Sequence, residues 1–442
     1  MPSRVVITGI GPACSIGLGV ESFWESLCSG QAAIAPIQAF DASGYRAKLA
    51  GEVRDVKIRD FVPKSYRKAT KVMARDTELA VIAAKLAAED AGLKTRGSEE
   101  TAEGFEINPS RVGCQIGAGL IAADTQELSR AVVQAEAEDG TFSMKKWGTQ
   151  GDGDSGMNNL PPLWLLKYLP NMLACHVTII HGLEGPSNTI MGAEASAILS
   201  IGESTRVIER GSADMCFSGG AESRLNPLGL LRWEYTGRLA DTQDLTDPAQ
   251  ITKPFDPDSL GGIIGEAGGM LVLENEQHAN DRGARVYAQI AGFGCGQSTP
   301  NICKPCINPA HADSASDSID RGLEAAIESA LADAQLSADQ IDVIVPMGLG
   351  VPDLDTQEMG ALEAIFGESI QEKSLFCLSP MVGNTMAGHG GLMVAAGALC
   401  LHKQQIPGDQ STKPIGAVLV CSSSLGGQCG AVVLTRSQTN DE

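Results

Sequence analysis

Long apolar runs are missing from this 442-residue chain: hydrophobic residues make up 43% of it, yet none of their stretches approaches the roughly 20 residues a bilayer-spanning helix needs. No membrane span is expected. The amino terminus, MPSRVVITGIG, enters a strand directly, without a basic region, an apolar core and a small-residue cleavage site in succession. A cytoplasmic location is therefore expected. Positive charge is also in short supply, with 33 Lys and Arg against 54 Asp and Glu and a net charge of −21. Phosphate neutralisation needs clustered cations, so nucleic acid is excluded as the expected partner. Cys303 and Cys306 form one CxxC with His311 nearby, but no second ligand pair follows at zinc spacing, so no metal and no cofactor are expected. Other cysteines, such as Cys114, Cys216, Cys400 and Cys421, sit in apolar contexts and read as small buried hydrophobes of a reducing compartment. No low-complexity tail occurs.

What is present is a duplication. A helix over Asp76–Leu93, with Leu79, Ile82 and Leu86 at helical spacing, leads through a polar loop to the strand RVGCQIGAGL. A helix over 318–336, with Ile319, Leu323 and Ile327, leads likewise to IDVIVPMGLG. The continuations match as well: SNTIMGAEASAILSIGESTRVIERGSADMCFSGG runs strand, Gly turn, small-residue helix, basic end, Gly, strand, and LSPMVGNTMAGHGGLMVAAGALCLHKQQIPG with GAVLVCSSSLGG is expected to do the same. Strands alternating with such helices predict mainly parallel sheets covered by helices. Residues 138–162 and 238–262, rich in Gly, Asp and Pro, read as long loops on the first half.

Glu194 and His389 fall at the two strand-to-helix turns, which the packing of two halves would bring towards a common centre. The residues alone leave two readings of Glu194. An acid in a first helical turn is favourable by roughly 0.3–1 kcal/mol without any chemistry; a side chain held at a sharp turn beside free N–H groups is also where chemistry is often placed. Glu194 and His389 are expected to form a charged, hydrogen-bonded pair, the alternative being two unconnected residues at similar helix heads. Lys64, Arg67, Lys68 and Lys71 fall in one stretch and could share a helix face, either solvated or docking an anion. His176 and His181, in CHVTIIHG, read as core or interface residues.

Together, RVVITGIGPACSIGLGVESFWESLCSG, the GPS to GGAE block at 185–222, PFDPDSLGGIIGEAGGMLVLE and MAGHGGLMVAAGA make the chain resemble a β-ketoacyl synthase of the thiolase fold. The resemblance covers nearly the whole length. It implies an α/β thiolase-like fold in which two duplicated halves, 1–284 with the long loops and 285–442, form a layered α-β-α-β-α core. In that family an elbow Cys is acylated by carrier-protein thioester and two His stabilise the enolate formed on decarboxylation. Here Glu194 stands at the Cys, Met347 at the first His and Asp355 at the nearby Asp, while His389 is kept and Asn384 replaces the Lys five residues before it. Leu425 stands at the gating Phe, Cys429 at the terminal Asn, and SLGGI at 259–263 replaces RDGFV. Leu120 and Trp164 align near the acyl pocket and dimer seam, and Lys64 to Lys71 with a carrier-docking region. Cys175 and Cys429 would lie near the site, but neither sits at an elbow.

A carboxylate cannot hold the acyl chain as a stable thioester, and methionine offers neither charge nor a strong hydrogen bond. The resemblance then implies a non-elongating partner similar to a chain-length factor, working with an acyl carrier protein and with an active ketosynthase or a second copy of itself. The alternatives are a malonyl-thioester decarboxylase and an atypical condensing or acyltransfer enzyme. An acidic carrier would be repelled at long range unless the basic stretch dominates within a Debye length of about 8 Å.

Overall fold

The computed structural model describes residues 3–99, 101–148, 155–242, 245, 247–299, 319–409 and 413–437. Cys303, Cys306 and His311 lie outside them.

Ten strands carry the architecture. In chain order they are β1 (Val5–Cys14), β2 (Val112–Gly117), β3 (Ser187–Ile190), β4 (Met215–Ser223), β5 (Ile264–Asn275), β6 (Ala288–Gln297), β7 (Val343–Val345), β8 (Ser374–Leu375), β9 (Ala417–Ser423) and β10 (Gln428–Thr435). Their spatial order is β8-β7-β9-β10-β6-β1-β5-β4-β2-β3 within a 13-stranded sheet, the other strands being short attachments. Read outward from the β1/β6 junction, the two sides follow one scheme: β1-β5-β4-β2-β3 and β6-β10-β9-β7-β8. Even an irregularity repeats. The β1–β5 register slips between Ile7 and Gly9, and the β6–β10 register slips between Ile290 and Gly292.

The sheets are mixed rather than mainly parallel. β2 runs parallel to β3 and β4, and β7 parallel to β8 and β9, but β5 is antiparallel to both its neighbours and so is β10. The periodicity of alternating strands and helices misses these members because no crossover helix separates β9 from β10, and because a long connection precedes β5.

Six helices complete the layers: α1 (Arg75–Asp90), α2 (Met172–His181), α3 (Ser196–Glu209), α4 (Arg321–Ala334), α5 (Pro352–Phe366) and α6 (His389–Lys403). α1 covers β1 and β5 from outside, and α4 covers β6 and β10 in the same way. Small residues let them approach closely. A Cβ on Gly11 of β1 would lie 2.1 Å from the Ala83 carbonyl of α1, and one on Gly294 of β6 would lie 2.0 Å from the Ala326 carbonyl of α4. α3 and α6 pack on each other and touch strands of both halves, forming the middle layer. Every residue of α6 from His389 to Leu401 is buried, as expected of a helix that is apolar all round. Among the described residues no helix is long and apolar enough to cross a membrane.

Candidate functional site

β3 ends in a turn at Gly192 and Ala193, where Ala193 adopts a left-handed φ of 46°, uncommon for a residue with a Cβ. One 3-10 turn, Ala193–Ala195, feeds α3. Ser196 pins this elbow: its Oγ accepts the Gly192 N–H at 2.8 Å and donates to the Ala193 carbonyl at 2.6 Å. The turn projects Glu194 into the interior, where it is fully buried. A carboxylate withdrawn from water needs compensating partners. Glu194 has three: the Leu425 N–H reaches Oε2 at 3.0 Å, Asn384 Nδ2 reaches Oε1 at 3.3 Å, and Arg238 Nη1 lies 3.5 Å from Oε1.

The expected Glu194–His389 pair is absent from the hydrogen bonds and ion pairs of the described residues. Burial drives the His389 pKa down to about 4, so the imidazole is neutral and brings no charge to the carboxylate, which is paired instead with the Arg238 guanidinium. The two residues are not in equivalent places either. The second elbow has its left-handed residue at Met386 (φ 53°), followed by the turn Met386–Gly388 and then His389 as the first residue of α6. Ala387 is thus the counterpart of Glu194, and His389 that of Ser196. His389 also does what Ser196 does, its Nδ1 facing the Thr385 N–H at 3.5 Å and the Thr385 hydroxyl at 3.3 Å. With Nδ1 accepting, the proton belongs on Nε2, which has no partner among the described residues.

Met347 is buried in the main apolar cluster, and no hydrogen bond or ion pair of the described residues joins it to Glu194. Its segment is clamped from behind. The N–H groups of Met347 and Gly348 donate to the two oxygens of Glu358, at 2.8 and 2.9 Å, and those of Phe255 and Gly350 donate to Asp355 Oδ2, at 2.9 and 3.0 Å. Burial raises the Glu358 carboxyl to about 8, with Asp355 adding to the rise, and raises Asp355 to about 6. Ser259, in the SLGGI segment at 259–263, donates to the Gly350 carbonyl at 2.6 Å and ties the same two loops together.

The remaining candidates lie around this centre. Leu425 sits in the tight turn between β9 and β10, its side chain half-buried against the cluster that contains Met386 and Trp233. Cys429, on β10, is buried with its Sγ 3.6 Å from Asp320 Oδ1; desolvation and that carboxylate push its thiol far above the usual range, the reverse of an activated nucleophile. Cys175 lies on α2 and not at an elbow. Leu120 is 54% exposed, and its carbonyl accepts from Arg224. Trp164 is half-buried, with its ring tilted on Tyr168 at 5.2 Å between centroids and its Nε1 unpartnered. Lys64, Arg67, Lys68 and Lys71 are all exposed, but Lys64 and Lys71 sit on two successive 3-10 turns, Lys64–Tyr66 and Ala69–Val72, with Arg67 and Lys68 in the link between them, rather than on one helix face. His176 and His181 are core residues, held through Nδ1 by the hydroxyls of Tyr66 (2.8 Å) and Thr95 (2.9 Å).

Arg238 escaped the sequence reading, as did a second buried pair beside it. Glu222 is fully buried, ion-paired with Arg224 and accepting the Ala387 N–H at 3.1 Å; burial raises its carboxyl, and the nearby Glu194 adds to the rise. Arg238 lies in the irregular stretch at 238–262, where no periodicity marks a buried residue. The available signal was indirect: a carboxylate at an interior elbow calls for a cation.

The family model for the N-terminal domain of β-ketoacyl synthases matches residues 2–279, and the model for their C-terminal domain matches residues 305–412. The chain is 27% identical over 405 residues to 3-oxoacyl-[acyl-carrier-protein] synthase 2 of Vibrio cholerae, a match covering 91% of this chain and 87% of that protein. Among solved structures, the ishigamide ketosynthase/chain length factor superposes with a TM-score of 0.77 at 23% identity, over 99% of this chain and 100% of that one. A type II polyketide ketosynthase solved with its acyl carrier protein, AntDE:AntF, gives a TM-score of 0.76 at 24% identity, again over 99% and 100%. With both domain models matched across most of its length, the chain belongs to the β-ketoacyl synthase family.

Proposed function

We propose that this chain is a non-elongating member of fatty acid or polyketide synthesis, a chain-length-factor-like subunit that pairs with an active ketosynthase and shapes the site in which its acyl chain grows. The observation that carries this reading is Glu194: the nucleophile position holds a buried carboxylate whose two oxygens are already engaged by Arg238, Asn384 and the Leu425 N–H. Such a group neither attacks a thioester nor leaves the Leu425 N–H free for a developing oxyanion. The exposed cations Lys64, Arg67, Lys68 and Lys71 supply a surface for an acidic carrier protein on a chain whose total charge is −21. Exposed Leu120 and half-buried Trp164 are the residues assigned here to the acyl pocket and subunit seam.

A second reading, malonyl-thioester decarboxylation, is favoured by one feature, the unpartnered Nε2 of His389, a donor that an enolate could use. His176 and His181 have the same orphan nitrogen in the core, which weakens that argument. The two readings part on one reconstitution. The chain is incubated with malonyl and acyl carrier-protein thioesters, alone and with an intact ketosynthase, and intact-protein mass and carbon dioxide release are followed. The partner reading expects no acyl adduct on this chain, no carbon dioxide from it alone, and longer products when it joins the active subunit. A covalent acyl adduct, or carbon dioxide release abolished by Glu194→Ala, overturns it.

A further inference from the structure

We infer that Arg238, Asn384 and Leu425 form a carboxylate-binding cradle, which the chain fills with its own Glu194 and thereby closes to any substrate that carries a free carboxylate. The three groups, one ion-pair partner and two hydrogen-bond donors, come from separate parts of the fold. Arg238 belongs to the long connection between β4 and β5, Asn384 precedes the second elbow, and Leu425 sits in the short turn between β9 and β10. All converge on one carboxylate, at 3.5, 3.3 and 3.0 Å.

Each donor is committed to that role. Arg238 is buried, and Glu194 is its one ion-pair partner among the described residues. Asn384 spends its Oδ1 on the Met386 N–H at 2.9 Å, which leaves Nδ2 facing Glu194. The turn holding Leu425 is closed at both ends, by Ser424 N–H to the Gln428 carbonyl and Gly427 N–H to the Ser424 carbonyl, each 2.9 Å, so the Leu425 N–H direction is fixed. The neighbouring carboxylate, Glu222, is occupied by Arg224 and the Ala387 N–H and does not compete. A charge-assisted set of this kind, preorganised away from water, selects for an anion with two oxygens. A malonyl-type substrate would meet filled donors and a like charge.

Truncating Glu194 to Ala removes two carbons and two oxygens, the heavy atoms of acetate. The test is therefore rescue by acetate. Glu194→Ala leaves the Arg238 guanidinium buried and unpaired, and its midpoint of thermal unfolding is expected to fall by roughly 3–5 °C. Titrating acetate against chloride at constant ionic strength should restore most of that loss saturably, while acetamide should not. Wild type, Glu194→Gln and the double variant Glu194→Ala, Arg238→Met should show no acetate-specific response, because their cradles are filled or lack the cation. If Glu194→Ala does not accumulate folded, its refolding yield in acetate against chloride reads the same quantity. An absence of rescue, or equal rescue by acetamide or in the double variant, overturns the cradle. The readout uses this chain alone, so it can succeed or fail independently of the ketosynthase-partner reading.

Discussion

The two elbows have nearly the same backbone and opposite chemistry. At each, a left-handed non-glycine residue (Ala193, Met386) opens a 3-10 turn, and the first residue of the following helix reaches back four positions to a free N–H: Ser196 to Gly192 and His389 to Thr385. Between those fixed points one side chain differs decisively, Glu194 against Ala387. The connections that follow differ too. The N-terminal half joins β4 to β5 by a long excursion that delivers a guanidinium, whereas the C-terminal half joins β9 to β10 by a tight turn that delivers a backbone N–H, and both reach the same carboxylate. Duplication therefore fixed the frame. Divergence of a single turn residue and a single connection decided what the frame encloses.

The comparison is broken most severely where the halves are most alike. Gly11→Val and Gly294→Val each drive a side chain into a helix carbonyl, at 2.1 and 2.0 Å from the would-be Cβ, and backbone cannot swing aside as a flexible side chain can. Each is expected to cost upwards of about 4 kcal/mol, at the far end of single-substitution effects. Urea unfolding of the two variants checks this. Equal losses would mark the halves as equivalent pillars of one cooperative unit, and a loss confined to one would show that the second half folds on the first.

Replacing His389 with Ser makes the two helix heads alike while keeping a hydroxyl that can pin the elbow as Ser196 does. Burial lowers the His389 pKa to about 4 from the usual 6.5, so the neutral imidazole is the folded form. Its contribution is fully present above the unfolded pKa and is lost as pH falls through the folded one. The stability of wild type relative to His389→Ser should therefore decline between about pH 6.5 and 4, by on the order of 3 kcal/mol, with His181 cancelling because both proteins retain it. A difference that stays level across this window would mean that the imidazole is charged or solvated in the folded chain.

Much of this frame was legible in the chain itself. Leu79, Ile82 and Leu86 placed α1 within a few residues, Leu323 and Ile327 placed α4, and the matching order of elements announced the repeat. Strand polarity was less legible, because β5 and β10 are recognised by whom they pair with and not by local pattern. The centre of the site was half legible. Glu194, Asn384 and Leu425 were singled out by alignment to a motif and are brought together, but the partner expected for the carboxylate, His389, was the wrong one. A histidine two residues from an elbow looks as available as any, and its sequence does not show that Nδ1 faces Thr385 rather than the carboxylate. Arg238 carries the counter-charge from a segment with no periodicity, where a buried cation leaves no trace in sequence.

The smallest effect tests how far the elbow itself is strained. A residue with a Cβ in the left-handed region costs roughly 1–2 kcal/mol, and glycine there would relieve it at the expense of a more disordered unfolded chain. At Met386 the side chain is fully buried among Leu225, Leu230 and Trp233, so packing justifies the strain. Ala193 touches the same cluster with one methyl and has far less to offer in return. Ala193→Gly should accordingly stabilise the chain slightly, by about 0.4–1 kcal/mol in urea unfolding. A loss instead of a gain would mean that the methyl, packed on the same cluster as Leu425 and Met386, helps to hold the turn that presents Glu194, and the two elbows would then be alike in energetics as well as in shape.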